Sequence, residues 1–187
     1  MPKHLLFIAG SARKGSYNVS LAKAAQKEAE SQGATTEFID LSDYDLPLFN
    51  EDWEAENGVP QNAIKLKEKM AAADGVFFTT PEYNSSITPL LKNTIDWLTR
   101  KHEEGEKPLK AFDDKAAAIA ATSPGGLGGI RVLVPLRLLL SNIGMNVVGT
   151  QLSVAHAAES LTESHTLTQE FHQNLLSKMI KTLIRIA

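Results

Sequence analysis

The sequence predicts a single α/β domain in three layers, with a parallel five-stranded sheet in the order 2-1-3-4-5 and helices on both faces. Three observations carry this expectation. Short apolar runs alternate with longer amphipathic ones along all 187 residues. The apolar runs are near-continuous, as in strands buried on both faces. A chain of this length builds one core rather than two.

"HLLFIAG" (4–10) reads as the first strand. A helix follows from about Asn18 to Ser31, because Leu21, Ala24, Ala25 and Ala29 recur at helical spacing, and Gly33 closes it. "TTEFIDL" (35–41) is the second strand and "QNAIKLKEKMAAAD" (61–74) the second helix. "GVFFTTPEY" (75–83) is the third strand, and "TPLLKNTIDWLTR" (88–100) is helical. "KAAAIAATS" (115–123) is the fourth strand, with helix after it to about Asn142. "MNVVGTQLSV" (145–154) is the fifth, and "TLTQEFHQNLLSKMIKTLIRI" (166–186) forms the last helix. Residues 42–60 and 101–114 read as loops, the first long enough to need a functional or interface reason. With right-handed crossovers this is the flavodoxin-like topology, whose ligands bind where strands one and three diverge.

Composition narrows the partners. A net charge of −3 argues against nucleic acid or an anionic membrane surface, both of which reward a basic excess. No stretch approaches the ~20 apolar residues of a membrane span, and the N-terminus lacks a signal peptide's apolar length, so a soluble cytoplasmic protein is expected. The chain has no cysteine, which removes disulfides and thiolate chemistry together. Its five histidines show no metal-ligand spacing, and no metal site is expected.

Three strand ends carry unusual residues. After the first comes "GSARKGSYN" (10–18), in which Ser11, Ser16 and Asn18 offer donors, Arg13 a planar fork, and the following helix its N-terminal N–H groups. Plain N-capping needs one such residue and does not account for Arg13 with three donors. An anion, and specifically a phosphate, fits better. The loop has neither the glycine-lysine-hydroxyl ending of a nucleoside-triphosphate loop nor the G-x-G-x-x-G fingerprint. After the third strand, "TTPEYNSS" presents Pro81, Glu82, Tyr83 and Asn84: a stiff backbone, an aromatic surface and an amide suited to a heterocycle. Thr88 or Ser86 with Pro89 also reads as a helix cap, which leaves residues 82–84 unexplained. After the fourth, "TSPGGLGG" places four glycines within five residues, either a flexible turn or a backbone able to approach a flat ligand closely. Together they suit a mononucleotide with a planar polar ring.

At these residues the chain resembles the NADPH-dependent FMN reductase family of quinone, chromate and azo-dye reductases, through "GSARKGSYN" (10–18), "PEYNSS" (81–86) and "SPGGLGG" (123–129). The resemblance implies that Ser11, Arg13, Ser16 and Asn18 hold the FMN phosphate and that Tyr17 among them also binds the cofactor. It implies that Pro81, Glu82, Tyr83 and Asn84 border the ring, with Ser123, Gly125 and Gly126 along its other edge. Ser85 stands where the family usually has glycine. NADPH or NADH is the implied co-substrate, passing hydride to FMN and on to a quinone-like, azo or metal-oxyanion acceptor in a ping-pong sequence. A flavin carries this chemistry itself, so no catalytic side chain is expected. An electron carrier or flavin-binding sensor without nicotinamide turnover is the alternative, which Arg13 and the modest net charge disfavour. The resemblance further implies a homodimer or homotetramer. The 88–100 helix is the expected contact, being apolar over Leu91, Ile95, Leu98 and the adjacent Leu90, Thr94, Trp97 face, with Trp53 of the 42–60 loop covering a neighbour's flavin.

Overall fold

The computed structural model describes all residues, 1–187. Its central sheet is parallel, with β1 (His4–Ala9), β2 (Thr35–Ile39), β3 (Gly75–Thr79), β4 (Ala116–Thr122) and β5 (Asn146–Val147) in the order β2-β1-β3-β4-β5. The expected topology is therefore present. Period-two side-chain alternation splits each strand between two cores. Leu6 and Ile8 of β1 face α3 (Gln61–Ala72), α4 (Pro89–Leu98) and α5 (Leu133–Asn142). Leu5 and Phe7 face α1 (Tyr17–Ser31) and α7 (Glu170–Ile186), with Phe7 stacked on Phe77 of β3 at 5.7 Å.

Three expectations are corrected. The fifth strand is two, because β6 (Leu152–Val154) pairs separately with β4 after an interruption at 148–151. Arg137 of α5 holds the break, donating to the carbonyls of Val147 and Val148 and to Gln151. Residues 42–60 are not a structureless loop but contain α2 (Glu51–Asn57). Asn50 caps it, accepting from Asp52 N and Trp53 N at 2.8 and 3.0 Å, three acidic residues occupy its first turn, and Gly58 (φ +74°) ends it.

The third correction concerns α4. Thr88 caps it and Pro89 opens it as read, but its apolar width is absorbed by its own chain. Leu91, Thr94, Ile95, Trp97 and Leu98 are all buried. Trp97 packs edge-on against Phe49 and Trp53 and donates to Pro47 O at 2.7 Å, while Arg100 pairs with Glu54. Trp53 is thus engaged within its own subunit. A short α6 (Ala157–Ser160) precedes α7, which starts at Glu170 rather than 166. No helix is long and apolar enough to cross a membrane.

Candidate functional site

β1 leaves the sheet through Gly10, where a Cβ would sit 2.8 Å from Thr80 Oγ1 and 3.0 Å from Leu91 Cβ. Only glycine passes there. Thr88 Oγ1 donates to Gly10 O at 2.7 Å and ties this exit to the start of α4. The loop then winds around its own arginine: the Arg13 guanidinium donates to Lys14 O (2.9 Å) and Gly15 O (3.0 Å) and lies 6.0 Å from the Tyr17 ring. Gly15 supplies the positive φ that closes this turn, at +66°. Ser16 caps α1, its hydroxyl accepting from Val19 N. The N–H groups of Tyr17 and Asn18 precede the helix ladder and point out of its first turn, as those of any helix do.

Asn18 is buried and bridges to β4, donating through Nδ2 to Thr122 O (2.9 Å) and accepting at Oδ1 from Thr122 N (3.1 Å). Thr79 Oγ1 donates to Asn18 O at 2.8 Å. The start of α1 is therefore bolted to the ends of β3 and β4 at once. An amide has two N–H donors, so one remains for a ligand.

After β3, Tyr83 and Ser86 exchange two backbone hydrogen bonds at 3.0 Å around Asn84 (φ 51°) and Ser85 (φ 64°). Both central residues of this turn are left-handed, the geometry that favours Asn-Gly. Ser85 therefore occupies a strained position, which explains why glycine suits it. After β4, Gly128 (φ +59°) packs so closely that a Cβ would lie 2.6 Å from Ser153 Oγ and 2.7 Å from Ala155 N, while a Cβ on Gly125 or Gly126 would make only ordinary contact, 4.0 Å from Ser123 Oγ and 3.7 Å from His156 Nε2. Two glycines of this loop thus serve packing. The other two are free of it.

Glu82 and Arg131 clasp the two loops together. Arg131 donates from its backbone N to Glu82 Oε2 (3.1 Å) and from Nε to Oε1 (2.6 Å), and its Nη2 reaches Oε1 as well. The Glu82 side chain is 8% exposed and that of Arg131 58%.

These loops enclose a cleft of about 370 Å³, within the range of small-molecule sites. Ser11, Arg13, Ser16, Tyr17, Asn18, Pro81, Glu82, Tyr83 and Ser123 line it, together with Thr122 and Pro124, which the sequence reading missed. Asn84 sits exposed at the turn tip, and Gly125 and Gly126 are not among the lining residues. The role of Arg131 was also missed. Nothing in "GGIR" signals a partner 49 residues earlier.

A doubly wound α/β domain with one ligand crevice at its β1/β3 switch point is the class that this fold and site define. The model of the NADPH-dependent FMN reductase family matches residues 4–159. A Pseudomonas aeruginosa protein named NAD(P)H-dependent FMN reductase is 33% identical over 183 residues, covering 96% of this chain and 92% of that one. The Escherichia coli quinone reductase is 37% identical over 131 residues, 70% of this chain and 65% of that protein. A rice protein named probable NADPH:quinone oxidoreductase 2 is 39% identical over 132 residues, with 60% of its length covered. Among solved structures, the flavoenzyme NAD(P)H:(acceptor) oxidoreductase FerB of Paracoccus denitrificans superposes with a TM-score of 0.82 at 29% identity, over 98% of this chain and 96% of that one. The chain belongs to the NADPH-dependent FMN reductase family, flavoenzymes that use FMN as cofactor and a reduced nicotinamide as electron donor.

Proposed function

We propose that this chain is an NAD(P)H-dependent FMN reductase that delivers electrons to small planar or oxyanionic acceptors, of quinone, azo or metal-oxyanion type. One observation carries the reading: the first turn of α1, the hydroxyls of Ser11 and Ser16 and the Arg13 loop open into the same cleft as the loops after β3 and β4. Their chemistry fits FMN at both ends. Hydroxyls, backbone N–H groups and a helix N-terminus suit a phosphate. The stiff Pro81–Tyr83 backbone suits a flat ring, as do Gly125 and Gly126 on the neighbouring loop, which carry no side chain to hold a ring away from the backbone.

In this reading Ser11, Arg13, Ser16 and the N–H groups of Tyr17 and Asn18 bind the phosphate. Pro81, Glu82, Tyr83 and Asn84 border one edge of the ring, and Ser123, Gly125 and Gly126 the other. When bound, FMN supplies a ring that takes hydride from the nicotinamide and returns electrons to an acceptor, the two partners using one open face in turn. The protein contributes binding and orientation. The Glu82–Arg131 clasp fixes the spacing of the two ring-side loops, and Asn18 fixes the phosphate loop against β4.

A second copy of this chain covers α5. Leu127, Ile130, Val134 and Leu138 are exposed along one stripe that runs from the glycine loop, beside a groove floored by Ile87, Pro135 and Leu139. Its continuity with the cleft through the glycine loop argues for a homodimer or homotetramer in a soluble, cytoplasmic protein. Sedimentation velocity at micromolar concentration checks this, and a 20.3 kDa species would refute it.

The function is tested by titrating the purified protein with FMN, then adding NADPH without oxygen and following flavin absorbance. Tight FMN binding with rapid bleaching supports a reductase. A bound flavin that stays oxidised overturns it in favour of an electron carrier or sensor. Failure to bind FMN overturns both.

A further inference from the structure

His156 stands beside the ring-side glycines, two residues after the end of β6. Its φ and ψ of 49° and 53° are left-handed, a conformation that suits glycine and strains a residue with a side chain. Two backbone bonds fasten it there. The His156 N–H donates to Gly125 O at 3.3 Å and the Ala157 N–H to Ser123 O at 3.1 Å, so residues 156–157 lie against the loop after β4. The imidazole covers Gly126, with Nε2 and Cε1 at 3.7 and 3.9 Å from where a Cβ on that glycine would sit.

This ring is uncommitted. His102 meets Lys67 and Glu106, and His165 meets the Ser20 hydroxyl. His156 is exposed, and its ring has neither a hydrogen bond nor an ion pair within the protein. The charged groups at the same end of the cleft, Glu82 and Arg131, are committed to each other. A strained backbone that holds an unpartnered polar side chain at the rim of a site is an outlier from which function is inferred. An imidazole offers an N–H donor whether neutral or protonated.

We propose that His156 is a further residue of the flavin site, whose imidazole N–H bonds the FMN ring along the glycine-loop edge and favours its reduced form. The inference rests on the reductase reading above, which sets Ser123, Gly125 and Gly126 along that edge. A hydride from the nicotinamide carries two electrons and one proton. The donor therefore leaves as its oxidised cation, and the ring gains one negative charge. A hydrogen bond to a charged acceptor is stronger than one to a neutral acceptor, so the imidazole holds the reduced ring more tightly than the oxidised one. The potential of bound FMN rises accordingly, and a side chain sets it.

The test is the midpoint potential of FMN bound to the wild type, to His156→Gly and to His156→Gln. It is read by anaerobic spectroscopic titration beside a dye of known potential, with the affinity for oxidised FMN measured in parallel. Glycine removes the donor, accepts the left-handed backbone and keeps the N–H that bonds Gly125 O, so the fold is spared. In His156→Gly the preference for reduced over oxidised FMN should fall about tenfold, the worth of one charge-assisted hydrogen bond. That fall lowers a two-electron potential by about 30 mV. Affinity for oxidised FMN should change by less than about twofold. His156→Gln restores an N–H donor at similar reach and should recover at least half of the shift. An unchanged potential in His156→Gly overturns the proposal, as does a glutamine variant that recovers nothing. Equal losses of affinity for both redox states overturn it too, by making His156 a prop of the glycine loop alone. Failure of the wild type to take up FMN would sink the reductase reading instead.

Discussion

Asn18 grips Thr122 by both ends of its amide, 104 residues apart in sequence, with bonds of 2.9 and 3.1 Å. An isolated asparagine in a loop of hydroxyls reads as a ligand donor. Here one donor and one acceptor are spent on holding the loop after β1 to the sheet, and only the backbone N–H and the second amide hydrogen are left for the anion proposed above.

Replacing Asn18 therefore has two separable effects. Asn18→Ala leaves the buried Thr122 N–H unpaired and should cost about 1–3 kcal/mol of stability. Asn18→Asp keeps the acceptor but turns a carboxylate toward Thr122 O and adds like charge to an anion site. It should lower FMN affinity about tenfold further than the alanine variant, read by flavin fluorescence titration. Equal FMN affinities for the two variants would contradict a phosphate at this loop.

Ser85 offers the opposite case, a substitution that should stabilise. A left-handed residue with a Cβ costs about 1–2 kcal/mol, against a smaller entropic loss for glycine. Ser85→Gly should raise the melting temperature by about 2–4 °C for a domain of this size. An unchanged or lower Tm would mean that the Tyr83–Ser86 turn draws on contacts of the serine itself.

The Glu82–Arg131 clasp should matter for the site more than for the fold. Because Arg131 is more than half exposed, Glu82→Gln should cost less than about 1 kcal/mol of stability. If the pair works as a unit, Glu82→Gln and Arg131→Ala should weaken FMN binding alike, with the double variant no worse than either. Arg131→Lys should not rescue, since an ammonium lacks the two-pronged geometry. Additive losses in the double variant would show that the residues act separately.

On the other side of the molecule, Lys67 and Glu106 form an ion pair whose side chains are 2% and 1% exposed. Lys67 Nζ meets both Glu106 oxygens, at 2.9 and 3.0 Å, along with His102 Nδ1 and Arg100 O, and pins the 101–114 segment to α3. Burial pushes the Glu106 carboxyl up, but Lys67 and the His102 N–H outweigh it and hold the group below its usual 4.5. Its contribution is therefore complete above about pH 4.5 and is lost as the pH falls through the depressed value. Glu106→Gln should destabilise by about 3–5 kcal/mol at pH 7, because it strands a buried ammonium. Urea midpoints across pH 3–7 should also show a shallower acid slope in the variant, and parallel slopes would refute the assignment.

Local pattern was enough for the order of elements, the strand sequence and the three loops that meet at the cleft. Those are properties of short stretches: apolar runs, caps at Thr88 and Pro89, and breaks at Gly33. The same stretches misled where a local feature had a distant cause. The broad apolar face of α4 looked like a subunit contact, and Trp53 and Phe49 of the preceding segment cover it instead. Residues 42–60 read as a loop, although Asn50 and the acidic turn after it mark α2.

What only the tertiary structure decided is how the polar side chains are shared between fold and ligand. Asn18, Glu82 and Gly128 lie in motifs that read as ligand-binding, yet each is committed within the protein, to Thr122, Arg131 and the close approach of Ser153 respectively. A hydrogen bond is short-ranged and directional, so whether a donor faces a cleft or a carbonyl depends on groups tens of residues away that the chain brings within about 3 Å. The sequence by itself determined the topology, since hydrophobic periodicity and capping act over a few residues. The division of labour at the site came from the packing of β3 and β4 against the start of α1.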